Sequence, residues 1–116
     1  MISRDGNMIG LKIKPLSVNK AWKGRRYKTD EYKAYEKSVL LMLPNLDIPD
    51  GDLHVSIEFG FSNKASDLDN PVKLFVDILQ KKYGFNDSRI CEYSLKKKKT
   101  IKGADYIMFD IKEAKT

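Results

Sequence analysis

Alternating hydrophobic and polar residues predict four β-strands in this chain. Residues 9–13 alternate over a short stretch, and Leu53–Phe61 alternates strictly, with every second side chain apolar. A period of two is typical of a strand with one buried face. Two further strands are predicted over residues 90–97 and 104–112, joined by a turn at 102–103.

The first of two predicted helices spans about residues 30–43. Thr29 is a suitable N-cap, and Pro44 prevents continuation of the helix beyond its last turn. The apolar stripe at helical spacing comprises Tyr32, Tyr35, Val39 and Met42. The preceding segment, residues 15–28, has no clean period and is predicted to be an ordered but irregular loop.

The second helix is predicted to follow a polar loop at 62–66, with Asn70 as its cap and Pro71 in its first turn. Gly84 suits the left-handed position after the last helical residue. The apolar stripe comprises Val72, Phe75, Val76, Leu79 and Tyr83. The order strand, helix, strand, helix, strand, strand indicates an α/β fold, a single small domain over residues 1–116 with one mixed sheet and two helices. The pattern does not determine the strand order.

The composition of the 116 residues is that of a globular protein, with 41% apolar and 33% charged residues. No apolar run is long enough to cross a bilayer, and the first ten residues lack the apolar core of a secretory signal. The single cysteine, Cys91, cannot form an internal disulfide, which agrees with a reducing compartment. We therefore expect a cytoplasmic protein that does not associate with membranes.

Basic residues are concentrated in two parts of the chain, whose net charge is +6. Residues 12–28 contain seven basic side chains and no acidic one, and residues 96–99 with Lys102 form a second cluster. Such clusters indicate a polyanionic partner, because each lysine placed on a phosphate releases condensed counterions. The alternative is a lysine-rich surface that only keeps the protein soluble. Trp22, within the first cluster, could stack on unpaired bases, or it could pack over the core or a dimer interface.

Two carboxylates, Asp67 and Asp69, stand two residues apart just before the second helix. In an extended segment both can point to the same side, and carboxylate oxygens are ligands that Mg²⁺ prefers. Such pairs also cap helices and occur in loops, so the spacing alone leaves both interpretations open. Lys73 can reach back toward the pair or form an intrahelical ion pair. Asp87 follows a helix about 20 Å long, so geometry alone leaves it as a turn residue or cap.

Several spaced elements occur in one order along the chain. They are Pro15-x-Ser17-x-Asn19, Asp67-Leu68-Asp69-Asn70, Lys73, Gly84-Phe85 and Asn86-Asp87-Ser88-Arg89-Ile90. Together they resemble the core motif of the RusA family of crossover-junction endodeoxyribonucleases, over nearly the whole chain. The resemblance implies a RusA-like fold, a magnesium site formed by Asp67, Asp69 and Asp87, and a role for Lys73 in cleavage.

The function that the resemblance implies is magnesium-dependent resolution of Holliday junctions, four-way DNA branches, by paired phosphodiester hydrolysis in DNA recombination and repair. Two alternatives remain. One is a catalytically inactive DNA-binding protein, and the other is a magnesium nuclease that acts on forks, flaps or duplex DNA. The expected DNA contacts are Asn19, Lys20, Lys23, Arg25, Arg26, Lys64, Lys73, Lys96, Lys97, Lys98 and Lys99.

The resemblance also implies a homodimer. A junction must be cut on two strands, whereas one chain carries one acidic cluster, so two-fold symmetry would supply the second site. The aromatic side chains of the first helix, Tyr32 and Tyr35, are a candidate source of the interface, because a domain of this size leaves apolar surface to cover.

Overall fold

The computed structural model describes residues 8–16, 22–23, 27–62 and 69–114. Within these ranges the predicted α/β fold is confirmed, with two helices and a four-stranded mixed sheet. In chain order the elements are β1 (Ile9–Leu11), β2 (Trp22–Lys23), β3 (Tyr27–Lys28), α1 (Asp30–Met42), β4 (Leu53–Phe61), α2 (Asp69–Tyr83), a 3-10 turn (Asp87–Arg89), β5 (Ile90–Lys99) and β6 (Tyr106–Glu113).

The strand order in the sheet is β1-β6-β4-β5. Strand β6 is antiparallel to both of its neighbours, whereas β4 and β5 are parallel and joined by α2. The strands β5 and β6 are consecutive in sequence, but β4 lies between them, so the turn at Gly103 does not close a hairpin. This order depends on long-range pairing, and the local sequence pattern did not determine it.

The basic segment before α1 is more regular than predicted. Strands β2 and β3 pair in antiparallel register, with Trp22 opposite Lys28 and Lys23 opposite Tyr27. The prediction of an irregular loop over residues 15–28 was therefore wrong for this part of the segment. The strands are only two residues long, which is too short for alternation to be visible in the sequence.

Helix α1 begins as predicted, because the hydroxyl oxygen of Thr29 accepts a hydrogen bond from the backbone N–H of Tyr32 at 3.1 Å. Its buried residues include Tyr32 and Tyr35, which are only 2% and 6% exposed. The prediction that these two tyrosines supply a dimer interface was therefore wrong, because both side chains belong to the core of a single chain. Met42 was also wrongly assigned to the core, because it is partly exposed and Leu43 is buried instead.

Helix α2 begins at Asp69, so the predicted cap Asn70 lies inside the helix. Pro71 is tolerated there because the first backbone N–H groups of a helix have no intrahelical partner. The helix ends as predicted at Gly84, which has a φ of +71° and donates its N–H to the carbonyl oxygen of Gln80 at 2.8 Å. The buried face is wider than the predicted stripe and contains Leu74, Phe75, Val76, Ile78 and Leu79.

The core lies between the two helices and one face of the sheet. It contains the odd-numbered residues of β4, and Phe75 of α2 makes edge-on ring contacts with Phe59 and Phe109 at centroid distances of 6.4 and 5.5 Å. We call this face of the sheet the helix face. The opposite face, which carries His54, Ser56 and Glu58 of β4, is called the polar face.

One close approach on the polar face depends on a glycine. Gly60 lies beside Tyr106 of β6, and a Cβ atom at position 60 would come within 2.2 Å of the tyrosine ring. The Tyr106 hydroxyl donates a hydrogen bond to the Glu58 carboxylate. Burial and then this hydrogen bond raise the pKa of Tyr106 to about 12. Glycine is therefore required for the tyrosine to lie flat over the strand.

In the part of the chain that the structure describes, no helix combines the length and the apolar character needed to cross a membrane.

Candidate active site

Two of the three predicted acidic residues, Asp69 and Asp87, flank α2 in the sequence. Asp69 is the first residue of the helix, and Asp87 is the first residue of the 3-10 turn that follows it. The backbone N–H of Asp87 binds the side chain of Gln80, which is eleven residues after Asp69 and thus about 16 Å along the helix axis at 1.5 Å per residue. Asp67 and the side chain of Asp69 lie outside the described residues. Within one chain, the backbone of Asp87 therefore lies beside the last third of α2 and not beside its start.

The donor chemistry of these carboxylates fits Mg²⁺, which prefers oxygen ligands. Among the described residues, however, no three His, Cys, Asp or Glu side chains lie close enough together to hold a metal ion. Of the three predicted ligands, only the Asp87 side chain is among the described residues, so the metal site stays a prediction.

The turn that carries Asp87 is held by side chains other than its own carboxylate. Asn86 is the N-cap, and its Oδ1 accepts a hydrogen bond from the backbone N–H of Ser88 at 2.8 Å. The guanidinium of Arg89 donates to the carbonyl oxygen of Gly51 at 2.9 Å. The Asp87 side chain is exposed, and none of the described residues forms a hydrogen bond or ion pair with it. Asn86 therefore serves as the cap, and the Asp87 carboxylate remains available as a ligand.

A polar stripe on α2 runs from its first turn toward this 3-10 turn and contains Lys73, Asp77 and Gln80. The Nζ atom of Lys73 lies 3.9 Å from Oδ2 of Asp77, so the intrahelical ion pair that was one alternative for this lysine is present. Its side chain is 72% exposed, and such a pair contributes only about 0.2–0.5 kcal/mol. The Lys73 ammonium is therefore accessible to a phosphate.

Tyr93 of β5 lies beside the same stripe. Burial, followed by the negative charges of Asp87 and Asp77, raises the pKa of this tyrosine. The two aspartates therefore both lie near Tyr93 and contribute to one negative region beside it. Attraction of a cation to this region is the expected consequence.

The comparison with known families identifies the class of protein. A family model described as endodeoxyribonuclease RusA matches residues 14–108. This range includes both acidic elements and most of the chain. The chain belongs to the RusA family. It is accordingly a nuclease of the hydrolase class that acts on DNA, and RusA nucleases generally depend on a divalent metal. A comparison with curated proteins finds no match.

The second lysine cluster of this RusA-family chain is divided between the two faces of the sheet. All four lysines of residues 96–99 are exposed and lie in β5, where successive side chains point in opposite directions. Lys97 and Lys99 align with Phe59 and Phe61 of β4 and share the helix face. Lys96 and Lys98 lie on the polar face. The predicted single cluster is therefore two rows, and only the helix-face row lies on the side of α2.

The other predicted DNA contacts lie outside the described residues. They are Asn19, Lys20, Arg25, Arg26 and Lys64, together with the side chain of Lys23. Their roles, and that of the Trp22 side chain, stay predictions.

Sequence reasoning missed Gln80, whose side chain contacts both Asp77 and Asp87. The signal that could have found it is its spacing on α2. Gln80 follows Asp77 by three residues and Lys73 by seven, which places all three on one helical face.

Proposed function

We propose that this RusA-family protein is a magnesium-dependent endonuclease that resolves Holliday junctions by paired phosphodiester hydrolysis in DNA recombination and repair, in the cytoplasm. The observation that carries the proposal is the family match over residues 14–108, which spans both acidic elements. The ordered turn with an exposed Asp87 carboxylate supports it, because a ligand on a fixed backbone loses little entropy on binding.

Asp67, Asp69 and Asp87 would hold the magnesium ion through carboxylate oxygens. Bound there, Mg²⁺ supplies Lewis acidity toward the phosphate and a water of lowered pKa. The exposed ammonium of Lys73 would bind the scissile phosphate and stabilise the negative charge that develops on it in the transition state.

We propose further that each site is completed by two copies of the chain. In one copy the backbone of Asp87 lies beside Gln80, about 16 Å along the helix axis from the start of α2, which is too far for a shared ion. A two-fold axis that places Asp87 of one protomer beside the start of α2 of its partner would form two identical sites. Such a homodimer supplies the two cuts that resolution of a junction requires.

The exposed edge of β5 is the surface that fits this arrangement. This strand has ten residues, and among the described elements only β4 pairs with it. Antiparallel pairing of two β5 strands would place the start of one beside the end of the other, and thus Asp87 near the start of the partner's α2.

Self-pairing centred on Ser94 would also match side chains of complementary type. Glu92 would lie opposite Lys96 of the partner subunit on the polar face, and Tyr93 opposite the partner's Leu95 on the helix face. Tyr93 is 45% exposed in one chain, which is unusual for a large aromatic side chain and leaves apolar area to bury. A lysine-rich edge normally resists pairing with other strands, so these specific contacts would restrict the edge to its own copy.

The experiment that tests the function compares a four-way junction, a replication fork and a linear duplex of equal sequence, each with Mg²⁺ and with EDTA. We expect paired, symmetric cuts in the junction with Mg²⁺ and no cleavage with EDTA. Preferential cleavage of the fork or the duplex would instead favour a nuclease of other specificity. Binding of the junction without cleavage in Mg²⁺ would favour an inactive DNA-binding protein.

A further inference from the structure

The side-chain amide of Gln80 joins α2 to the turn that carries Asp87. Its Oε1 accepts a hydrogen bond from the backbone N–H of Asp87 at 2.8 Å. Its Nε2 donates to Oδ1 of Asp77 and to the carbonyl oxygen of Val76, both at 3.4 Å. Because the oxygen and the amino group are both engaged, the orientation of the amide is fixed.

The hydrogen bond to Asp87 replaces one that the turn cannot make for itself. The first N–H groups of a helical turn have no partner within it, so nearby polar side chains or water must bind them. Here Gln80 binds the N–H of Asp87, and Asn86 binds the N–H of Ser88. These two contacts leave the Asp87 carboxylate without a local capping role.

The same amide connects the backbone of Asp87 to Lys73, the lysine proposed to bind the scissile phosphate. Asp77, which accepts from Gln80, is the ion-pair partner of Lys73 at 3.9 Å. A continuous series of side chains, Lys73 to Asp77 to Gln80, therefore ends at the backbone of Asp87. The helix is rigid, so this series fixes the position of the turn relative to the polar stripe of α2.

We propose that Gln80 is a positioning residue of the nuclease, which holds the backbone of Asp87 so that its carboxylate is presented to the divalent cation. This role rests on the proposed magnesium-dependent function. Groups that orient a metal ligand without touching the ion commonly change metal affinity 10–100-fold when they are replaced.

The test replaces Gln80 by methionine, which has similar length and no hydrogen-bonding amide. In the metal-free Gln80→Met protein, we expect the Asp87 amide hydrogen to exchange with solvent several-fold faster. The Mg²⁺ concentration that gives half-maximal cleavage should rise about 10–100-fold, whereas the rate at saturating Mg²⁺ should stay near wild type. Lys82→Met, the same new side chain on the same helix, is the matched control and should change neither quantity.

A second variant separates positioning from loss of packing. Gln80→Glu combined with Asp77→Asn retains an oxygen for the Asp87 N–H and supplies an amide donor at position 77. Both the slow exchange of the Asp87 amide and the wild-type Mg²⁺ requirement should return. Asp77→Asn alone shows how much loss of the Asp77 charge contributes. If this variant raises the Mg²⁺ requirement as much as Gln80→Met does, the positioning role does not belong to Gln80.

The outcomes distinguish this role from the function on which it rests. If the wild-type protein cleaves no DNA with Mg²⁺, the proposed function fails and the role of Gln80 fails with it. If wild type cleaves and Gln80→Met requires no more Mg²⁺ than wild type, only the role of Gln80 is overturned.

Discussion

Replacing a single lysine of β5 distinguishes DNA bound on the helix face from DNA bound on the polar face. Lys98 and Lys99 are adjacent and exposed, but they point to opposite sides, beside Gly60 and Phe61 of β4 respectively. Because Phe61 is the last residue of β4 and the chain then leads to Asp69, Lys99 lies on the side of the proposed site. We expect Lys99→Ala to weaken junction binding, and Lys98→Ala to leave it nearly unchanged.

The magnitude follows from counterion release. Loss of one duplex phosphate contact lowers the slope of log affinity against log salt concentration by about 0.9. If this electrostatic contribution vanishes near 1 M salt, one lost contact weakens binding roughly eightfold at 0.1 M. Neutralising all four lysines should then change the slope only by the contribution of the contacts on the helix face.

The assay is fluorescence anisotropy of a labelled four-way junction titrated with each variant at several salt concentrations. Lys98→Ala is the matched control, since it removes the same charge from the neighbouring residue of the same strand. An equal change of slope in both variants, or a larger change in Lys98→Ala, would show that DNA does not bind preferentially on the helix face. Unchanged slopes in both would make the lysine cluster a solvated surface.

Three further experiments test other parts of the proposed structure and function. Lys73→Ala should lower single-turnover cleavage about 100-fold or more while junction affinity changes little, since the charge acts mainly in the transition state; equal losses would indicate a binding role. Gly60→Ala should lower the free energy of unfolding, measured with denaturant, by about 1–3 kcal/mol. It should also lower the pKa of Tyr106, measured by absorbance titration. If both values are unchanged, the tyrosine ring does not lie close over position 60. Glu92→Lys should weaken the dimer in sedimentation experiments, and Lys96→Glu added to it should restore association; failure of the exchange would exclude the β5 pairing.

Much of the fold could be predicted from local patterns. The alternation of β4 and the cap at Thr29 are each determined by neighbouring residues, and the structure confirms both. The position of β4 between β5 and β6 could not be predicted, because it depends on pairing between residues far apart in sequence. The exposure of Met42 likewise depends on which side of the last turn of α1 faces the sheet. An error of one residue in the predicted helical face exchanges Met42 with the buried Leu43.

The candidate site could be predicted in part. The spacing of Asp67 and Asp69 indicated a metal site without excluding a cap, and only the resemblance to a family connected them to Asp87. The structure adds that Asn86 provides the cap of the 3-10 turn, which the sequence left open. The contact between Gln80 and Asp87 joins a helix to a turn seven residues later in the sequence. It could not be predicted, because helical periodicity does not extend beyond the end of a helix.

Mixing two inactive variants tests most directly whether each active site is built from two copies. In Asp69→Asn and Asp87→Asn, a ligand is replaced without a change of volume, so each protein alone should bind the junction and fail to cut it. If Asp87 completes the site of the partner subunit, a mixed dimer carries both substitutions in one site and neither in the other. Free exchange of protomers gives about half mixed dimers, and thus roughly a quarter of the wild-type number of intact sites.

The measurement is cleavage of a four-way junction by the equimolar mixture in Mg²⁺. We predict that activity returns as single-strand nicks, because each mixed dimer has one working site. A mixture of Asp67→Asn with Asp69→Asn is the matched control and should stay inactive, since both ligands come from the same protomer in each site. An Asp69→Asn and Asp87→Asn mixture that exchanges protomers and remains inactive would contradict the two-copy site.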